Sequence, residues 1–556
     1  MDRPGSWKEG DISRLQSLSA RLADHPSDEI LHNRITRLLA RNRSRDHSYF
    51  SSFQPDFYRA LELLAYHGQI KFPLLSFYFV RQVKIKLKLG VHREVNAEQV
   101  IDASGDLFFH HYLETGINTD YELELWLEAL RRRLLFQHRA LPPGVSRLVA
   151  ALAQQCFNNE YLFMDSAGEA CIVNEMEERL AHIVRQAGPL PEEAEIQLLI
   201  YSLYAPLFKF PEAERLVKIP LTAFSPPLRA CIRRTLLEPL KETRLMEGIP
   251  SAGRIADKVS RVVRRQYEEN PYPRWLALAA LPPRALRESL AERFSGLTPF
   301  SSSDELSGGY SILVPGCGTG HHSLWLAAAN PQSKVTALDL SKRSLAYGKR
   351  MAEKLKITNI RFFHGDLLEF SKAGQTFHHI DCVGVLHCLE KPETGWAALK
   401  QMTRCGGTIR IAVYSRAARM GVICVRNEFD LSNMPSEPGA MKRFRRKIMS
   451  QDQYRLVREN FCTSPDFYST SALRDLLFHV REKQYTLAEI EQLAALLNLK
   501  FLGFRFGDMT MKRRYLERFP DDPYMTNLAH WRQFEKAYTG TLRMFDFWLQ
   551  NNGDAQ

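Results

Sequence analysis

Long apolar runs are missing from this chain. No window approaches the ~18 consecutive apolar residues that a membrane helix needs, so no spanning helix is expected and no membrane partner. The opening MDRPGSWKEGD has no apolar stretch of the kind a secretion signal requires, which predicts a cytoplasmic protein. Cysteine is present, nine times in 556 residues, but never as a CxxC pair and with no regular spacing. A disulfide framework and a zinc site are both disfavoured on that ground, and no metal site is expected. Residues 1–250 carry little strand signal and no clean 34-residue repeat, which leaves a tetratricopeptide array as no more than a suggestion.

What is there begins with charge. The net charge is +12, with basic runs at Arg41–Arg45, Arg81–Lys88, Arg261–Arg265 and Lys442–Lys447. RNA or another acidic partner fits such runs. Solvated helix faces fit them better, because the excess is modest and no nucleic-acid module accompanies it. Amphipathic helices are expected at 56–67, 121–136, 144–160, 174–186, 193–204 and 212–218. Pairs of them stacked as a degenerate solenoid would form an all-α domain over 1–250.

The stretch Tyr310–Leu340 is different in kind. Ile312, Leu313 and Val314 form a short apolar run, as in a parallel strand buried on both faces. Pro315, Gly316, Cys317, Gly318, Thr319 and Gly320 follow, then a helix that Asn330-Pro331 ends. A ligand over such a loop would meet unpaired helix N–H groups. Val335–Leu338 is a second strand, with Asp339 at its carboxyl end, where an acid can hold both ribose hydroxyls. The dinucleotide fingerprint G-x-G-x-x-G would put its third glycine at 321, which is His321. The loop therefore suits a cofactor with an adenosine but no pyrophosphate. A plain turn is the competing reading.

Further strands are expected at 360–363, before His364-Gly365-Asp366, at 379–386, before His387, and at 408–414. Helical stretches separate them, so the class is α/β with a doubly wound parallel sheet. Asp366 can accept from an adenine amino group. Both Asp339 and Asp366 could equally be strand-end caps.

Taken together, VPGCGTG, TALDL, HGDLLEF and VGVLHCLEKP resemble the successive motifs of class I S-adenosylmethionine-dependent methyltransferases, over about 310–415. The resemblance implies a Rossmann-like sheet with an antiparallel last strand, here at about 540–550, after a sixth strand at 500–506. It implies that Pro315–Gly320 lie under the methionine part of S-adenosylmethionine. Asp339 would hold the ribose, Leu340 would lie beside the adenine, and Asp366 and Leu367 would flank its edge. Val385, Leu386 and His387 would line the floor near the transferred methyl. Two outlying segments, Ala151–Phe163 and QYEENPYPRW at Gln266–Trp275, are similar to large bacterial methyltransferases with a helical, often tetratricopeptide-like N-terminal region.

In the second segment Pro271 and Pro273 force extended backbone. A lid and an interdomain linker are both open for 251–300. As part of a lid, Arg274 would meet the carboxylate of the cofactor. A methyltransferase domain is then expected at 301–556, with a helical insertion at about 416–499. For an acceptor that must lose a proton, His387 is the first candidate base, with Tyr272 and His479 behind it. The Asn/Asp-Pro-Pro-Tyr/Phe tetrad is absent after the fourth strand, where Cys388-Leu389-Glu390-Lys391 stands, so amide or adenine amino methylation by that tetrad is disfavoured. The expected function is methyl transfer to a protein or peptide held by the helical region. A small molecule or RNA acceptor is the alternative, and a scaffold that has lost catalysis is a second.

Overall fold

A computed structural model describes residues 9–553 apart from 26–27, 43–53, 67–71, 90–93, 187, 279–285, 295–296, 298–308, 506–508, 541 and 543. The chain divides into two units. The first takes the chain up to Leu240, the short stretch Leu276–Ala280 and, far along the sequence, Met441–Thr470. The second takes Lys241–Trp275, Leu281–Ala440 and Ser471–Gln556.

The first unit is helical, with no strand among its described residues. Its helices follow from apolar stripes with polar caps at their starts. Ser166 caps Ala167–Arg185, accepting from the Glu169 N–H while the Glu169 side chain reaches back to it. Tyr121–Phe136 and Glu192–Tyr201 sit close to the expected spans. Phe72–Lys86, Ala97–Gly105 and Leu107–Thr115 went unforeseen. Leu127, Leu130, Leu148, Leu152, Leu198 and Ile200 are among the residues of its core.

The basic run Lys442–Lys447 is only partly a solvated face: Arg443 and Lys447 are exposed, and the others are paired. Arg445, 4 % exposed at its side chain, meets Glu124 with two nitrogens at 2.6 and 2.7 Å. Arg446 pairs with Glu128, and Lys442 reaches Asp165 at 3.3 Å. Apolar neighbours on that helix hide the pattern: Met441, Phe444 and Ile448 are buried. Charge counting along the sequence therefore overstates the basic surface.

The second unit is a seven-stranded sheet in the order β3-β2-β1-β4-β5-β7-β6. Its strands are β1 (Ser311–Pro315), β2 (Lys334–Asp339), β3 (Ile360–His364), β4 (Phe377–Val383), β5 (Thr403–Tyr414), β6 (Leu499–Phe504) and β7 (Met544–Asn551). β1 to β5 pair in parallel, and β7 runs antiparallel to both β5 and β6. This is the Rossmann-like sheet with an antiparallel last strand. Residue 506, expected in the sixth strand, lies outside the described residues. Ile409, Ile411 and Val413 of β5 and Phe545, Phe547 and Leu549 of β7 are sealed in the core. The strand order reverses between β1 and β4, and crevices outside such reversals are where open α/β sheets bind ligands.

Candidate active site

The glycine loop joins β1 to the helix His321–Ala329. Gly316, Gly318 and Gly320 all have positive φ, at 61°, 53° and 84°. At two of them the glycine is required by the protein itself. A Cβ on Gly316 would stand 2.2 Å from the side chain of Val385, and one on Gly318 would stand 2.4 Å from the Tyr272 carbonyl oxygen. The amides of Cys317, Gly318, Thr319 and Gly320 are engaged internally, by Leu338, Asp339, Tyr272 and Cys317 respectively. Burial pushes the Cys317 thiol far above its ordinary range.

The segment 270–275 lies directly on this loop. The Thr319 hydroxyl donates to the Pro273 carbonyl at 2.5 Å, and the Trp275 indole N–H donates to the Thr319 carbonyl at 3.2 Å. Tyr347 donates its hydroxyl to the Trp275 carbonyl. Trp275 packs edge-on against His321 at 5.1 Å and is buried. Tyr272 and Arg274, half-buried, are carried on the same strip of backbone.

Asp339 ends β2 and bends back under the loop. Oδ2 accepts from the Gly318 amide at 2.8 Å, and Oδ1 accepts from the Ser341 amide at 2.8 Å. Burial raises its carboxyl to about 6, against those two hydrogen bonds, and the charge of Glu268 adds to the rise. Asp366 follows β3 and caps Leu367–Ser371, its Oδ1 accepting from the Leu368 amide at 2.8 Å. Both acids therefore do act as caps. Asp366 nonetheless keeps one atom unanswered: the residue is 3 % exposed, and Oδ2 is buried with no hydrogen-bond partner. A buried carboxylate oxygen without a donor is costly, and an adenine amino group is a donor of the required kind. Leu367 is buried beside it and Leu340 is half-buried after Asp339. The unanswered Asp366 oxygen thus fits S-adenosylmethionine at its adenine end, while both Asp339 oxygens already accept backbone amides.

Beyond β4, Val385 leads into a 3-10 turn, Leu386–Cys388. His387 is 4 % exposed, its ring lies 4.6 Å from that of Tyr414 at the end of β5, and its Nδ1 is buried without a partner. Burial lowers the imidazole to about 3, which makes it a neutral wall and a weak proton acceptor. Four residues that sequence reasoning left at the margin or passed over gather at the same strand ends. Tyr267 donates to Asp475 at 2.7 Å and contacts His479 at 3.1 Å, and His479 lies 3.6 Å from the Cys388 sulfur. Their separation along the chain hid them. Among the described residues no cluster could hold a metal ion, and no helix is long and apolar enough to cross a membrane.

Residues 312–407 match the family model described as a methyltransferase domain. With the sheet order and the acids that end β2 and follow β3, residues 312–407 are the stretch that marks a class I S-adenosylmethionine-dependent methyltransferase domain. An uncharacterised Synechococcus protein is 38% identical over 109 residues, 19% of this chain and 26% of that protein. The release factor glutamine methyltransferase of Bacillus subtilis is 42% identical over 69 residues, 12% of this chain and 24% of that enzyme. The chain thus spans about a quarter of the curated relatives it matches. Among solved structures, PKMT2 from Rickettsia typhi aligns over 49% of this chain and 55% of its own, with 16% identity and a TM-score of 0.36. Magnesium protoporphyrin IX methyltransferase from Synechocystis aligns over 31% and 80%, with 17% identity and a TM-score of 0.23.

Proposed function

We propose that the whole chain is an S-adenosylmethionine-dependent methyltransferase acting on a protein or peptide held by the helical unit. The unpartnered, buried Oδ2 of Asp366, in register with Asp339 and the glycine loop, carries the first half of this reading. When bound, the cofactor supplies a methyl group on an electron-poor sulfonium. Asp366 would hold the adenine and Asp339 the ribose diol. The 270–275 strip, fastened to Thr319, would keep the loop in one shape, with Arg274 toward the methionine carboxylate. Val385 and Leu386 would give the dry floor, and His387 would shape that floor without taking the proton. Positioning in such a slot supplies ~7–11 kcal/mol.

For the second half, the helical unit has a cavity of about 350 Å³ lined by Val100, Ile101, Leu134, Leu141 and Pro142, with Arg133 at its wall. Ile101 is an exposed apolar side chain there, suited to a peptide's own apolar group. Amide methylation, the reaction named for the Bacillus relative, is not carried over, because Cys388-Leu389-Glu390-Lys391 stands after β4.

Calorimetry with S-adenosylmethionine tests the reading. Binding is expected for the full chain, with at least a 30-fold loss in Asp366→Ala. Absence of heat from the unsubstituted chain would sink it. Radiolabel from the cofactor is then expected in protease-sensitive material, and label only in nuclease-sensitive or low-mass material would overturn the protein acceptor.

A further inference from the structure

One carboxylate, Asp475 on the helix Thr470–Leu477, has no ion-pair partner among the described residues. Asp475 is 9 % exposed. Its Oδ1 accepts from the Tyr267 hydroxyl, while Oδ2 is not sealed and stays open to a further donor. The surrounding protons can be placed. The Arg481 amide donates to His479 Nδ1 at 3.1 Å, so that nitrogen bears no proton and Nε2 bears the one of the neutral ring. His479 Nε2–H therefore points to the Tyr267 oxygen, and Tyr267 O–H points to Asp475. His479 is thereby removed as a resting base. The nearby Arg419 does not neutralise Asp475 directly. Its Nε and one Nη bind Glu482 at 2.8 and 2.5 Å, and its guanidinium lies over the Tyr414 ring at 4.0 Å.

A second observation falls at the ends of β4 and β5. His387 Nδ1 is sealed and unpartnered, and its ring lies on Tyr414. Asp475 is bonded to Tyr267, which contacts His479, and His479 lies 3.6 Å from the Cys388 sulfur. A buried carboxylate held by one phenol hydroxyl is a surrounding that a cation completes.

We infer that the methyl acceptor is an amine, received as its ammonium ion by Asp475 beside Tyr267 and His479. The inference rests on the methyltransferase reading and names its acceptor atom as nitrogen. An ammonium nitrogen has no lone pair, so it first passes a proton to Asp475 Oδ2. Burial, which raises the Asp475 carboxyl, favours that transfer. The freed lone pair forms the new N–C bond with the methyl of the sulfonium donor. The S–C bond breaks, and its electron pair stays on sulfur as the neutral thioether. The nitrogen is left methylated and cationic, and Asp475 returns its proton to water.

The full chain is incubated with methyl-labelled S-adenosylmethionine and a bacterial cell extract, used as prepared or with its amines acetylated beforehand. Label is expected on nitrogen in the untreated extract and is expected to vanish after acetylation. Asp475→Asn is expected to cut labelling at least 100-fold while its cofactor affinity by calorimetry stays within two-fold, which also shows that it folds. Tyr267→Phe, which removes only the donor to Asp475, is expected to cut labelling 3- to 20-fold. Label that survives acetylation on oxygen, sulfur or carbon overturns the inference. So does undiminished labelling by a folded Asp475→Asn, or normal cofactor binding with no label in any amine. Failure to bind the cofactor overturns the methyltransferase reading instead.

Discussion

Asp339 is the residue whose ionisation the cofactor would feel first. Its carboxyl sits at about 6, above the ordinary value of 3.8, because burial disfavours the charge. The sign follows from linkage. In the free protein the protonated form is favoured on folding, so this group's contribution to stability is present at low pH and lost as pH rises through about 6. Ribose hydroxyls donate and need the carboxylate. Cofactor affinity is therefore expected to rise from pH 5 to 7 and level off above, as calorimetry in a pH series will show. Asp339→Asn is expected to flatten that dependence and weaken binding at pH 7.5 by at least 10-fold. Gly318 makes a different demand. At φ 53°, with a Cβ landing 2.4 Å from a backbone oxygen, Gly318→Ala is expected to destabilise the fold by ~1–3 kcal/mol, read by thermal melting. Cofactor affinity should fall with it, because the loop and Asp339 share a hydrogen bond.

At the scale of elements, proline spacing and aromatic content marked 270–275 as rigid but not its position. The alternation of Pro271 and Pro273 gives backbone carbonyls that no local ladder uses, and two of them find Thr319 and its amide. That pairing bridges 46 positions of sequence and has no periodic signature. The helix Pro438–Ser450 shows the reverse failure: its charges were visible, and their burial was not. Glu124→Gln would leave Arg445 in the core with half its partner. It is expected to cost ~3–5 kcal/mol, whereas replacing both residues by well-packed apolar ones should recover most of that loss. Urea titrations of the single and double variants will measure both.

The whole molecule is less modular than its sequence suggests. The first parallel strands were legible because they hold short apolar runs bounded by glycine or a charged residue, as at 312–314 and 335–338. Membership of the units was not legible, since the chain leaves the sheet after Ala440, completes the helical unit, and returns at Ser471. The residues proposed to hold the cofactor could be read from local motifs. The group around Asp475 could not, because Tyr267, Cys388 and His479 meet only through tertiary packing. A fragment beginning at residue 241 would keep every strand yet strip Arg445 of Glu124 and Lys442 of Asp165. It is expected to be aggregated or partly unfolded in sedimentation and circular dichroism, where the full chain is not.

The indole of Trp275, hydrogen-bonded to the Thr319 carbonyl and edge-on to His321, also makes the loop visible to light. Its emission depends on the polarity and the dipoles that surround it. Difference spectra between the full chain and Trp275→Phe would isolate that one fluorophore from the other six. A shift of its band on adding S-adenosylhomocysteine would give an intrinsic optical signal for site occupancy, with no dye and no turnover.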